Sequence, residues 1–128
     1  MNLVESVVAF EATKHNIDLT VKIDSKHIKH KPYLAGCYTP LNGVIHMDSH
    51  CSLASLLHEI GHKVYHLKTK RGKITSQSFY EEQTVETFST VECEDLISQG
   101  IICRKDVFTP ISTWTNNGEN EVVLQKHP

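Results

Sequence analysis

The segment Leu56–His66, LLHEIGHKVYH, constrains the fold and the chemistry of this chain more than any other. Apolar residues recur at helical spacing through and around it, which predicts a helix over about residues 52–67. On that helix His58 and His62 share one face, with Cβ atoms roughly 5–6 Å apart, so both rings can bind one metal ion. Glu59 lies about 100° further round, beside such an ion, where its carboxylate can take a proton from a metal-bound water.

Chance is the alternative explanation, because the HExxH motif fixes only three positions, and it would leave a metal-free helical protein. Gly61 argues against chance: a glycine inside a helix costs about 0.5–1 kcal/mol relative to alanine. Its place between the histidines indicates that a second helix or a ligand comes close there. The apolar flanks turn the histidines inward, where an unpaired polar group is costly and a metal ion removes that cost.

His66 continues the i, i+4 series of histidines but is a poor third ligand. It lies two turns from His58, a rise of ~12 Å along the helix axis, which one zinc ion cannot bridge. We expect His66 at the far end of the helix, capping it or meeting solvent.

The third ligand of a catalytic zinc site is better sought in a second predicted helix, over about residues 78–98. Glu82 and Glu86 stand there at i, i+4, on one face. We expect Glu82 to bind the ion and Glu86 to accept the N–H of a ligand histidine. Glu81 and Glu86 remain alternative ligands, and a solvated acidic face is the non-functional interpretation.

The rest of the chain predicts a small α+β domain. Helical spacing predicts a helix over residues 3–16, and strict alternation predicts a half-buried strand over 17–24. Two short strands around a Pro and an Asn-Gly turn predict a hairpin, whose strand at 44–48 is expected to offer a free edge to a peptide. The predicted single domain, 1–128, comprises an N-terminal helix and strand (1–32), a hairpin (33–48), the HExxH helix (52–67), an acidic helix (78–98) and a flexible tail from about 113, with a further strand at 122–124.

We therefore expect the α+β class, with a small antiparallel or mixed sheet packed on helices. The net charge of −2 offers no argument for nucleic acid or an anionic membrane as partner. No segment approaches the ~20 apolar residues of a membrane-spanning helix. The start, MNLVESVVAF, lacks a basic region, which predicts no secretion signal and a cytoplasmic location. The four cysteines form no CxxC pair and are expected to be free thiols.

HEIGH is followed, 20 residues after its second histidine, by Glu82-x-x-x-Glu86-x-Phe88. This arrangement resembles that of the gluzincins and, within them, the ImmA/IrrE family of small zinc peptidases. The resemblance spans roughly residues 33–92 and includes the predicted hairpin before the HExxH helix.

The resemblance implies a minimal zincin-like core, a Zn²⁺ cofactor and hydrolysis of a peptide bond in a protein, such as a transcriptional repressor of a phage or mobile element. Carried over to this sequence, the resemblance implies that His58, His62 and Glu82 are the metal ligands. It also implies that Glu59 is the general base and that Glu86 accepts a hydrogen bond from a ligand histidine.

An oxyanion-stabilising or substrate-contacting group is not identified by the motif. The candidates are Tyr38, His46, Tyr65 and Tyr80, each of which has packing as its ordinary role. The alternative function is a non-catalytic binding module, in which zinc stabilises a small domain that sequesters a protein partner.

Overall fold

The computed structural model describes residues 2–23, 36–39, 43–69, 79–115 and 121–126. The predicted α+β class, with a small mixed sheet packed on helices, is confirmed. The helices are α1 (Leu3–His15), α2 (Leu53–Thr69) and α3 (Phe79–Ser98), and the strands are β1 (Leu19–Ile23), β2 (Gly36–Thr39), β3 (Val44–Met47) and β4 (Glu121–Gln125).

The sheet has the strand order β2-β3-β1-β4. β1 and β3 are parallel, and β2 and β4 each run antiparallel to their single neighbour. The expectation of a free edge at residues 44–48 is wrong, because β3 is hydrogen-bonded to β2 on one side and to β1 on the other. Among the described strands the edges are β2 and β4.

The core lies between the sheet and the helices, because α1, α2, α3, β1, β3 and β4 each contribute apolar side chains to it. α2 begins after Ser52, whose hydroxyl accepts the Ser55 backbone N–H at 3.2 Å and so caps the helix. α3 ends before Gly100, which adopts a left-handed conformation with φ of 75°. The fully buried apolar side chains of α2 are Leu53, Leu56, Leu57 and Ile60.

The segment after α3 covers the start of α2, which sequence analysis did not predict. It contains two short 3-10 helices, Arg104–Asp106 and Ile111–Thr113. The Ala54 N–H, in the first turn of α2, donates to the Val107 carbonyl at 3.0 Å. This bond satisfies one of the N–H groups that a helix start leaves unpaired.

Across the described ranges, no helix has the length and apolar character needed to cross a membrane. Several sequence-based expectations lie outside these ranges: the connection at 24–32, the start of the predicted hairpin (33–35), most of its turn (40–42), the polar loop at 70–78 and part of the tail (116–120).

Candidate metal centre

Three side chains from α2 and α3 converge on one point. His58 Nε2 lies 3.1 Å from His62 Nε2. The Glu82 carboxylate faces both rings, with Oε2 3.4 Å from His58 Nε2 and Oε1 3.2 Å from His62 Nε2. Tetrahedral ligands at ~2.0–2.1 Å from zinc are roughly 3.3 Å from one another. The three groups therefore have the spacing that a single zinc ion requires.

The other ring nitrogens also face carboxylates. His58 Nδ1 lies 2.8 Å from Glu86 Oε1, and His62 Nδ1 lies 2.7 Å from Glu81 Oε2. A carboxylate beside Nδ1 favours the tautomer that carries its proton there, so each Nε2 presents a lone pair toward the common point. Both rings are therefore oriented for metal binding.

Glu81 is the residue at this centre whose role the sequence did not indicate. Sequence reasoning considered it as a ligand, but its carboxylate contacts the far edge of the His62 ring. Consecutive residues on a helix point about 100° apart, so Glu81 and Glu82 can reach the two nitrogens of one imidazole. The sequence feature that could have indicated this contact is the adjacent pair Glu81 and Glu82, since each carboxylate can reach a different nitrogen of one histidine.

The centre is protected on one side and open on the other. The His62 side chain is 2% exposed, whereas the Glu82 side chain is 39% exposed. The buried His62 ring is held in place by its surroundings, and the exposed side of the group leaves room for water. Catalytic zinc sites have this open position, whereas structural zinc sites are closed.

Gly61 brings the two helices close enough for these contacts. A Cβ on Gly61 would lie 2.9 Å from Phe88 Cδ1 and 3.0 Å from Val85 Cγ1, both on α3. The helix that approaches this glycine is therefore the one that carries Glu82. About two turns earlier in α2, the Ser89 hydroxyl donates to the Ala54 carbonyl at 3.3 Å and ties α3 to α2.

Two other polar residues of the HExxH helix differ in position. Glu59 is half-buried on α2, beside His58 in sequence. His66 is also half-buried on α2 and does not belong to the group of ligand atoms formed by His58, His62 and Glu82. The separation of His66 from this group follows from the helix rise.

The candidate oxyanion or substrate-contacting residues are dispersed. His46 is half-buried on β3, in register with Cys37 of β2. Tyr80 is 70% exposed in the first turn of α3, two residues before Glu82. Tyr65 is half-buried on α2, and Tyr38 pairs with Ile45 through its backbone, its side chain being outside the description.

Comparisons with protein-family models, with curated proteins and with solved structures found no match. Function is therefore argued from the donor atoms. Two imidazoles and one carboxylate form a set that zinc accepts, and each imidazole has the hydrogen-bond partner that zinc-binding histidines usually have.

Proposed function

We propose that the protein is a zinc-dependent peptidase. His58, His62 and Glu82 are its metal ligands. The observation that carries the proposal is the convergence of the two Nε2 atoms and the Glu82 carboxylate, at separations of 3.1 to 3.4 Å. Two histidines and a glutamate form the ligand set of a recognised class of catalytic zinc sites in peptidases.

Glu59 is the general base of this proposal. When bound, zinc would acidify a water toward a pKa of ~7 and polarise the scissile carbonyl. Glu59 would accept a proton from the attacking water and donate it to the leaving amine. Its place one residue after His58 puts the carboxylate beside the ligand face of α2, about 100° round the helix.

Glu86 and Glu81 act on the ligands rather than on the substrate. By accepting the Nδ1–H of His58 and of His62, they hold each ring in the orientation that keeps Nε2 toward the ion.

The substrate class proposed is an extended segment of a protein. β2 is an edge of the described sheet and lies against α2, so a peptide pairing with β2 would run close to the HExxH helix. The minimal zincin-like core implied by the resemblance is part of this proposal, and the packing of α2 and α3 on a small mixed sheet supports it. The resemblance to the ImmA/IrrE family favours a cytoplasmic regulatory peptidase that acts on a repressor-like protein.

The test is Glu59→Gln in the zinc-loaded full chain, assayed on a fluorogenic peptide library. The variant should keep its zinc and its melting temperature and lose roughly 10²–10⁴-fold in hydrolysis, which is the usual contribution of a general base. Glu94→Gln is the matched control, because Glu94 is an exposed carboxylate of α3 whose ion-pair partner is Arg104. That control should retain wild-type hydrolysis.

Two outcomes overturn the proposal. In the first, the zinc-loaded wild type shows no hydrolysis that Glu59→Gln abolishes. This result would leave the binding-module alternative, in which the ion only stabilises the domain. A chain that binds no zinc at His58, His62 and Glu82, and whose melting temperature a chelator leaves unchanged, would exclude both zinc-dependent functions.

A further inference from the structure

A second group of potential ligands lies where α1 packs against α3. Its members are Glu11 and His15 of α1 and Glu92 of α3. His15 Nε2 lies 3.1 Å from Glu11 Oε2 and 2.9 Å from Glu92 Oε1. Glu92 is ten residues beyond Glu82, or about 15 Å further along the helix, so this group is separate from the candidate metal centre.

The Glu11 carboxylate is buried without well-formed hydrogen bonds. Its side chain is 0% exposed, and neither carboxylate oxygen makes a hydrogen bond of good geometry with a described residue, although His15 Nε2 lies 3.1 Å from Oε2. Oε2 nevertheless points at His15 Nε2, toward the middle of the group. A buried carboxylate without hydrogen bonds is costly, and a positive ion or a proton removes that cost. Consistent with this, burial raises the pKa of Glu11 to about 7.

The charges around the group balance with a divalent cation in place. Lys14 Nζ donates to Glu92 Oε2 and to Asp95 Oδ2, both at 2.7 Å. Glu92 and Asp95 share the Lys14 charge, so a divalent ion beside a neutral imidazole would offset the negative charge that remains on Glu11, Glu92 and Asp95. One imidazole nitrogen lies about 3 Å from each of two carboxylate oxygens, and the three potential ligand atoms lie within 4.8 Å of one another. This donor set suits an ion of the zinc class.

We propose that Glu11, His15 and Glu92 form a second metal site, which takes a divalent ion of the zinc class and fastens α1 to α3. The His15 and Phe88 rings lie 5.3 Å apart between centroids, tilted by 42°, and Phe88 is one of the side chains that pack against Gly61. The second ion would thus fix the part of α3 that packs on the HExxH helix. This proposal is independent of peptidase activity.

The test is the zinc content of the full chain after saturation with zinc alone at pH 8 and removal of loose metal. Wild type should hold two zinc ions per chain. Glu11→Gln should hold one, because glutamine has the size of a protonated carboxyl but supplies no charge to the ion. Asp95→Asn is the matched control: it removes a charge from the same network without removing a ligand, and should hold two.

A metal-free role for the group makes the opposite prediction. If Glu11 only carries a proton, Glu11→Gln reproduces that state and the zinc content equals that of wild type, which overturns the proposal. Loss of one ion in Asp95→Asn as well would also overturn it, since the effect would then be one of charge alone.

The double variant His58→Ala/His62→Ala separates this site from the candidate metal centre. It should keep one zinc ion, which Glu11→Gln in the same background removes, and zinc should raise its melting temperature only while Glu11 is present. This measurement does not need the ligands of the first site, so failure of the peptidase proposal leaves it interpretable. A double variant without bound zinc overturns the second site.

Discussion

His62 and Glu81 form a buried pair, with 2.7 Å between His62 Nδ1 and Glu81 Oε2 and side-chain exposures of 2% and 11%. The equivalent pair at the other histidine, His58 with Glu86, is more open, since the Glu86 side chain is 69% exposed. The two histidines of one motif are therefore oriented in environments of different polarity. This asymmetry has a measurable consequence for metal binding.

Glu81→Ala should weaken zinc binding more than Glu86→Ala. Removing Glu81 leaves a buried N–H without its acceptor, whereas water can replace the exposed carboxylate of Glu86. We expect a loss of about 10- to 100-fold in zinc affinity for Glu81→Ala and a loss below about 10-fold for Glu86→Ala. Competition with a chromophoric chelator measures both values.

Equal losses in these two variants would contradict the argument from burial. Glu82→Ala is the reference variant, because it removes a proposed ligand rather than the partner of one. It should cost more zinc affinity than either of them.

Gly61→Ala should destabilise the protein although alanine favours helix. The added Cβ would lie 3.0 Å from Cγ1 of the fully buried Val85 and 2.9 Å from Phe88 Cδ1. Overpacking of this kind costs about 1–3 kcal/mol, and helix propensity returns about 1 kcal/mol. We expect a net loss of about 1 kcal/mol in the free energy of unfolding, measured by chemical denaturation.

The Gly61→Ala effect should depend on Val85. In a Val85→Ala background the Cγ1 atom is absent, so the same substitution should cost less than it does alone. Additive costs in the double variant would show that contact with Val85 is not the cause.

Ser52→Ala should lower the free energy of unfolding by about 1 kcal/mol, since the Ser52 hydroxyl caps α2 at the Ser55 N–H. Ser98→Ala is the control, because the exposed Ser98 hydroxyl donates to the Asp95 carbonyl near the end of α3. Thermal melts should show a lower midpoint for the first variant and an unchanged midpoint for the second. A similar fall in both would contradict a capping role.

The cysteines should differ in their reactivity. Cys51 is buried, and burial raises the pKa of its thiol to about 12, so only about one molecule in ten thousand carries the thiolate at pH 8. Cys103 is exposed. Iodoacetamide should modify Cys103 in the native protein and reach Cys51 only after unfolding, as peptide mass mapping can follow. Equal native rates would show that Cys51 is accessible.

Local spacing predicted much of the fold. Helical periodicity placed α2 and α3 within about two residues of their observed ends, and the i, i+4 spacing of His58 and His62 put both rings on one face. Alternation predicted β1, and the turn residues predicted the antiparallel pairing of β2 with β3. Each of these features depends on residues only a few positions apart, so backbone geometry suffices to predict it.

Contacts between elements that are distant in the sequence could not be predicted from local residue spacing. The spacing of Glu82 and Glu86 on α3 favoured Glu82 as ligand and Glu86 as the partner of a histidine. It did not reveal that Glu81 would contact His62, because that depends on how α3 crosses α2 at Gly61. Likewise, only the packing of α1 explains why the charged residue Glu92 is buried on α3, beside His15 and Lys14.

By itself the sequence determined the helices, the hairpin and the pair of histidines with an adjacent glutamate, because these follow from the repeat of the helix and the strand. Only the tertiary structure decided that β3 lies inside the sheet, that β4 pairs with β1, and which carboxylate meets which imidazole nitrogen. Strand order and helix crossing are set by burial of apolar faces across the whole chain, which no local window contains.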